Sequence, residues 1–354
     1  MSLLMARAVI SARSPQVPVR AFTAAPSATI SEPFSSITAV RELPGGRAIV
    51  VDRQEQRVVL LDFGRHTVTP IGRKGSGPGE YQMPTGIFPG PGTDSYLADL
   101  FAMKIHVVSA DGRIRSTITK PLENRGIRMP VFFVPSAVDS AGRLYFQRTN
   151  GWGSAVRDIL RWDRSTNHVD RVAEFRSAMV IGSRPQGKGR GVVSDDSPPF
   201  TASPGWRVFP DGRVVIVHPA PYHLEVRDGA RRLVGPTRPD TPIPVTAAER
   251  AAYRAAQGKG APGPIADRDF PAVLPPFLGQ ESILASPDHE VWVLRTRAAA
   301  DPTPRYDIFD ATGRLVATAT LRPHSRVVGF GSGTLYVARQ DPADDLWYLE
   351  RYRR

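Results

Sequence analysis

Short apolar runs, each entered through a turn signal, recur along this chain and predict its architecture. Pro44-Gly-Gly46 leads into Arg47-Ala-Ile-Val-Val51, and Gly92-Thr-Asp94 into Ser95-Tyr-Leu-Ala98. Ser140-Ala-Gly142 leads into Arg143-Leu-Tyr-Phe146, and Pro210-Asp-Gly212 into Arg213-Val-Val-Ile-Val217. Pro287-Asp-His289 and Gly331-Ser-Gly333 open the last two runs, Glu290–Leu294 and Thr334–Val337. The central residues Val50, Leu97, Tyr145, Ile216, Trp292 and Tyr336 fall 47, 48, 71, 76 and 44 residues apart. Three of these spacings match a four-stranded propeller blade of about 40–50 residues, and the two long ones imply insertions. A second strand follows most runs, as in Arg57–Leu61, Lys104–Val108 and His223–Val226, and Asp-Gly turns such as Asp111-Gly112 then open a third. The pattern predicts an all-β, six-bladed β-propeller of four-stranded antiparallel blades with one short helical insertion. The last unit ends without an outer strand, and the run around Phe22–Ile30 is positioned to supply it and close the ring.

On this reading residues 1–20 form an N-terminal extension or degenerate targeting segment, and 21–354 form the propeller. Its insertions are about 182–204 and 236–276. The first is rich in Gly and Pro and reads as a mobile loop. Within the second, Thr246 and Glu249 have capping-box spacing ahead of an Ala-rich stretch, so a helix is expected over about 245–257.

Composition narrows the chemistry. The net charge is +12, yet only five of the 46 basic residues are lysines and they are scattered, so a nucleic-acid partner is not expected. With no cysteine, disulfides, thiol nucleophiles and Cys-bound zinc are excluded. No apolar stretch approaches a spanning helix. Residues 1–31 lack acids and carry Arg7, Arg13 and Arg20, which fits a degenerate export signal, an organellar presequence or a disordered tail. Export ranks first, so a periplasmic or extracellular location is expected, and a monomer.

Gly72, Gly75, Gly77, Pro78, Gly79, Glu80, Tyr81 and Pro84 resemble the linker of NHL-type repeats, and Val51–Val58 and Ala98–Ile105 resemble the segment that follows it. The likeness covers about residues 40–120 and implies a six-bladed propeller. Similar propellers include binding modules and enzymes such as lactonases and amidating lyases. As a phosphate cradle the linker fails, because Lys74 comes early and not directly after the last glycine, and Pro78 removes a donor.

Candidate ligand-facing residues are those where the second strand of a unit meets its third: Asp52, Arg53, Asp99, Arg148, Asn150, Trp152, His218, Tyr222, Arg295 and Arg339. The mix of arginine, aromatics and a few acids suits an anionic or polar small ligand or a protein. His218 and His223 lie five apart, but Pro219 and Pro221 forbid a shared helix face. Asp52 and Asp99 have a second reading, as partners of arginines or caps of the loop that follows. No linear catalytic motif occurs, and no catalytic residue or cofactor is assigned. The leading expectation is therefore a non-catalytic ligand- or protein-binding propeller. The alternative is a lactonase-like, metal-dependent hydrolase or lyase, which by that resemblance would hold Ca²⁺ or Zn²⁺ in the central channel.

Overall fold

A computed structural model describes residues 17–121, 127–130, 133–150, 154–178, 181–186, 190–195, 197–257 and 265–354. Six four-stranded meanders stand around a channel, each with its first strand innermost. Blade 1 runs Ala39–Leu43, Arg47–Asp52, Arg57–Asp62 and Thr67–Pro70. Blade 2 runs Pro84–Pro89, Ser95–Asp99, Lys104–Val108 and Ile114–Thr119. Blade 3 is Ala137–Val138, Leu144–Thr149, Val156–Asp163 and His168–Arg176. Blade 4 is Gly205–Val208, Val214–Pro219, Tyr222–Asp228 and Arg231–Val234. Blade 5 comprises Ile283–Ala285, Val291–Leu294, Arg305–Phe309 and Leu315–Leu321. In blade 6, Ser325–Gly331, Thr334–Gln340 and Trp347–Arg353 are completed by Ala28–Thr29 from the N-terminal side.

The second strand of each blade is sandwiched between neighbouring blades, which is why it reads as an unbroken apolar run and not as an alternation. Val50, Leu97, Tyr145, Ile216, Trp292 and Tyr336 are all fully buried. Six apolar clusters fill the six seams, from Ile49 with Leu97 between blades 1 and 2 to Val50 with Tyr336 between blades 6 and 1. Burying one such side chain is worth roughly 1.5–3 kcal/mol, so the seams carry the fold.

The strand Ala28–Thr29 lies within the run expected to close the ring, and it pairs antiparallel with Glu350–Arg351. An extra feature precedes it. Val19–Phe22 pairs in parallel with Thr318–Leu321 as a fifth strand of blade 5, and Phe22 packs between Trp292 and Tyr352. The segment expected to be a mobile loop contains a hairpin instead, Ile181–Gln186 against Arg190–Asp195. Its glycines did not prevent pairing, because a ladder is made by main-chain groups that glycine also possesses.

In the linker Gly72–Tyr81 the donors are spent internally. Glu80 accepts from Gly77 N and from Arg73 Nε. Gly72 has a φ of +59°, and a Cβ there would lie 2.6 Å from Gly79 O. At Gly75 a Cβ would overlap the Glu80 carboxylate. These glycines are required by the turn. Among the described residues no helix is long and apolar enough to cross a membrane.

Candidate functional site

All second-to-third-strand turns and all blade-to-blade linkers emerge on one face of the disc. The sequence-predicted residues stand there, and most are committed to neighbours. Asp52 is fully buried and accepts from the backbone N–H groups of Ser35, Ser36, Gln54 and Glu55. It fastens the incoming linker to the following turn. Asp99 repeats the device, accepting from Gln82, Met83 and Ala102 N–H and lying 3.3 Å from His106 Nε2. Burial pushes its carboxyl up, but these hydrogen bonds, His106 first, outweigh burial and hold it at about 2.

Arg148, His218, Arg295 and Arg339 end the second strands of blades 3 to 6, and each faces a buried acid on the third strand. Arg148 lies 2.5 Å from Asp158 and Arg339 lies 2.8 Å from Glu350. Arg295 donates to Asp307 at 2.9 Å and also meets Asp240. Tyr222 is buried, gives its hydroxyl to Asp307 at 3.0 Å, and has Arg295 over its ring. Burial and then Asp307 push that phenol well above its ordinary range. Arg53 and Asn150 are exposed, and Trp152 lies outside the described residues.

His218 and His223 do meet, across a hairpin and not along a helix. They are register partners, and their rings stack at 4.6 Å and 8°. With Glu225 they form the one group of three His, Asp or Glu donors among the described residues whose ligand atoms lie within 4.8 Å. His223 Nδ1 bonds Pro221 O, while burial, and then the His223 ring, push His218 downward. The carboxylate is already taken by Arg227 and by Arg232 at 2.8 Å. A dication there would compete with two guanidinium groups. It is also on blade 4, away from the axis. The inner strands around the channel instead bring Arg41, Arg207 and Arg326. The residues described do not fit a channel Ca²⁺ or Zn²⁺ ion, whose hard or borderline charge calls for convergent carboxylates, carbonyls or imidazoles.

Sequence reasoning missed a cleft on the same face, above blade 5. It has a volume of about 610 Å³, and its wall includes Ser282, Arg295, Arg297, Asp301, His324 and Phe200. Beside it stands the expected helical insertion, observed at Ala247–Ala256 with the Thr246–Glu249 capping box formed, and the same insertion lends Leu274 to the wall. Glu249 is buried and accepts from Ala299 N at 3.0 Å, so the helix is tied to the blade 5 turn. Tyr253 packs edge-on to Phe200 and Phe270, with centroids 4.8 and 5.5 Å away. The helix thus lies on the face bearing Arg148, His218 and Arg295.

Within this cleft, His324 is pinned by its backbone: its N–H donates to Pro302 O and its carbonyl accepts from Gln340 N. Its ring is exposed and makes no hydrogen bond among the described residues. Arg297 donates through Nε to Asp301 O at 2.9 Å and makes no ion pair among the described residues. Asp301 is engaged by Arg305 and by Thr303 N, which hold its carboxyl below the usual range, Arg305 contributing most. An imidazole and a guanidinium, the latter bonded to the Asp301 carbonyl and within electrostatic reach of its carboxylate, therefore share one wall. The signal in sequence was faint, since His324 sits in a linker and Arg297 in a turn with nothing nearby to mark them.

No family model and no curated protein matches this chain, so the NHL name is not carried further. Solved structures do match. A DUF4221 family member from Bacteroides vulgatus has a TM-score of 0.52 at 10% identity, over 92% of this chain and 96% of that one. A gluconolactonase from Xanthomonas campestris has a TM-score of 0.47 at 13% identity, over 92% and 91%. A calcium-binding regucalcin from Agrobacterium tumefaciens has 0.43 at 11%, over 96% and 98%. At such identities the likeness is one of fold. The expectation of a non-catalytic propeller is withdrawn, because it rested on the absence of a linear motif, and a ring that gathers side chains from several blades leaves no such motif to find. The architecture itself is secure: this chain is a six-bladed β-propeller.

Proposed function

We propose that this propeller is a hydrolase of the lactonase-like kind, acting on a small ester or lactone in the cleft above blade 5. The observation that carries the reading is the wall shared by His324 and Arg297. Imidazole is the side chain whose ordinary pKa lies near neutrality, so His324 is the group there suited to move a proton. It takes a proton from a water molecule as the water oxygen bonds to the substrate carbonyl carbon. Negative charge developing on the carbonyl oxygen is stabilised by Arg297. The carbon–oxygen bond of the ester then breaks, and His324 returns the proton to the leaving alkoxide.

A pH-stat assay over γ- and δ-lactones and a simple aryl ester tests this. Turnover by the unaltered chain is expected, with His324→Gln lowering kcat by about 10²–10⁴-fold. A folded chain that turns over none of them sinks the proposal. Residence outside the cytoplasm belongs to the same proposal and is supported by the cysteine-free composition. Fractionation of cells producing the full chain tests it.

A further inference from the structure

A second cavity, of about 580 Å³, lies beside the cleft that holds His324, and Phe200 and Leu274 line both. Each volume falls within the roughly 300–1,000 Å³ usual for small-molecule sites. Three parts of the chain build the second cavity: the turn at 198–202 ahead of blade 4, the tip of the blade 4 hairpin at Pro219 and Ala220, and the insertion that follows that blade. Within the insertion, Ile243–Pro244 pairs with Val273–Leu274 and fixes that side of the wall.

This wall is mostly apolar. Seven of its residues are prolines, which have no N–H to offer a ligand and, with φ already fixed, little freedom to lose when one binds. Phe200, Phe270, Val273 and Leu274 supply the bulk. The polar side chains are already engaged: Thr201 donates its hydroxyl to Pro198 O at 2.6 Å, Asp240 meets Arg295, and Asp269 accepts from Ala266 N at 3.1 Å. Val273 is nevertheless 44% exposed, so apolar surface stands open to water here. A wall so poor in free donors gives a polyhydroxylated ligand little to bind, whereas a hydrocarbon gains by covering it. Phe200 stands at the junction of the two cavities against the preference of its own backbone. It is the third residue of the turn that Thr201 N closes on Pro198 O at 3.2 Å, and its φ is +56°, where a bulky side chain is disfavoured and glycine is usual. Tyr253 and Phe270, with centroids 4.8 and 5.9 Å away, hold its ring in place.

We propose that this second cavity binds the apolar chain or ring of a molecule whose carbonyl group lies in the cleft, so that the substrate is a hydrophobic ester or lactone and not a sugar-like one. Phe200 and Leu274, common to both walls, mark where the two portions of that molecule join. That the occupant belongs to an ester rests on the hydrolase reading, but the affinity of the cavity for a neutral apolar chain does not.

Two measurements on the full chain test the cavity. Calorimetric titration with 2-octanone, which cannot be hydrolysed, should show saturable binding, and 2-butanone should bind at least about tenfold more weakly, because each buried methylene is worth up to about fourfold in affinity. In parallel, kcat/KM for 4-nitrophenyl hexanoate should exceed that for 4-nitrophenyl acetate by about ten- to a hundredfold, with most of the gain in KM. Val273→Asp and Phe200→Ala should each remove most of both preferences. Leu233→Asp, on the outer strand of blade 4 and as exposed as Val273, should change neither. A melting curve checks each variant, and Val273→Asp decides the matter should Phe200→Ala fail to fold. Failure of 2-octanone to bind, or binding that Val273→Asp and Leu233→Asp leave alike, overturns the inference. Ester turnover without regard to chain length overturns it as well and leaves the hydrolase reading standing. Binding of 2-octanone that Val273→Asp removes, with no ester turned over, upholds the apolar cavity and removes the hydrolase reading.

Discussion

Blade 2 and blades 4 to 6 place opposite charges on one lattice diagonal. In blade 2 the acid, Asp99, ends the second strand opposite Lys104, and the base, His106, lies two residues further along the third. In blade 4 the base, His218, ends the second strand opposite His223, and Glu225 lies two residues further along. Blades 5 and 6 follow blade 4. Asp307 stands two residues beyond Arg305, the backbone partner of Arg295, and Glu350 two beyond Tyr348, the partner of Arg339. Diagonal neighbours in an antiparallel pair are about 7–8 Å apart at the backbone, which long side chains bridge.

The linkers invert in step. In blades 1 and 2 the incoming linker offers backbone N–H groups to the strand-ending acid, Ser35 and Ser36 to Asp52, Gln82 and Met83 to Asp99. In blades 5 and 6 it offers a guanidinium, Arg238 to Asp307 and Arg322 to Glu350. The architecture demands that each linker be fastened to its blade. Which side supplies the charge is free to vary. Residues 40–120 cover the two blades that use the acid-first form.

Removing the acid of blade 5 is the strongest way to break this comparison. Asp307→Ala strands two guanidinium groups and the Tyr222 hydroxyl at once. Loss of one partner from a buried ion pair costs about 3–5 kcal/mol, to be read from urea unfolding. A loss under about 1 kcal/mol would show that the pairing is incidental. Next in size is the acid of blade 2. Its folded pKa, about 2, lies below the ordinary 3.8, so its stabilisation is present above pH 4 and is lost as pH falls toward 2. That is on the order of 2 kcal/mol, and Asp99→Asn should flatten the stability profile in this window. An unchanged profile would mean that the amide network does not favour the anion. Glu225 is also held low, by Arg232 and Arg227 against burial, so its contribution is likewise lost on acidification. Tyr222→Phe removes a single hydroxyl bond to Asp307 and is expected to cost about 1 kcal/mol.

What the chain disclosed follows from which interactions are periodic. Val50, Leu97, Tyr145, Ile216, Trp292 and Tyr336 were legible because strands buried on both faces need a contiguous apolar run. Closure by the run before blade 1 was legible because blade 6 lacked a strand, whereas the parallel pairing of Val19–Phe22 left no alternation to detect. The polar pairs were hidden for a geometric reason. Their lattice diagonal is constant, but the turn between the strands is not, so the partners lie 7 residues apart in blades 2 and 4, 12 in blade 5 and 11 in blade 6. Arg295 and Arg339 therefore looked like free cations at strand ends. The cleft was harder still, because His324 and Arg297 are joined only through the inter-strand contacts of blades 5 and 6.

The smallest expected effect concerns the insertion, where one acid again fastens two elements. Glu249 receives the N–H of Thr246 at 2.9 Å and that of Ala299 at 3.0 Å, and Thr246 Oγ1 accepts from Ala248 N. The Thr246 hydroxyl and then Ala299 N–H hold the carboxyl at about 2. Thr246→Ala deletes the hydroxyl but leaves the tie to Ala299, so it should cost about 1 kcal/mol, the usual worth of an N-cap. That loss falls on the helix and not on the ring, whose seams contain none of its residues. Hydrogen exchange is therefore the measurement to make. Amides of 250–256 should exchange roughly fivefold faster, as about 1 kcal/mol dictates, while those of Val214–Val217 remain unchanged. Faster exchange in blade 4 or 5 as well would show that the insertion is part of the ring, and the acid at its N-terminus would then belong with the blade fasteners and not with a separate insertion.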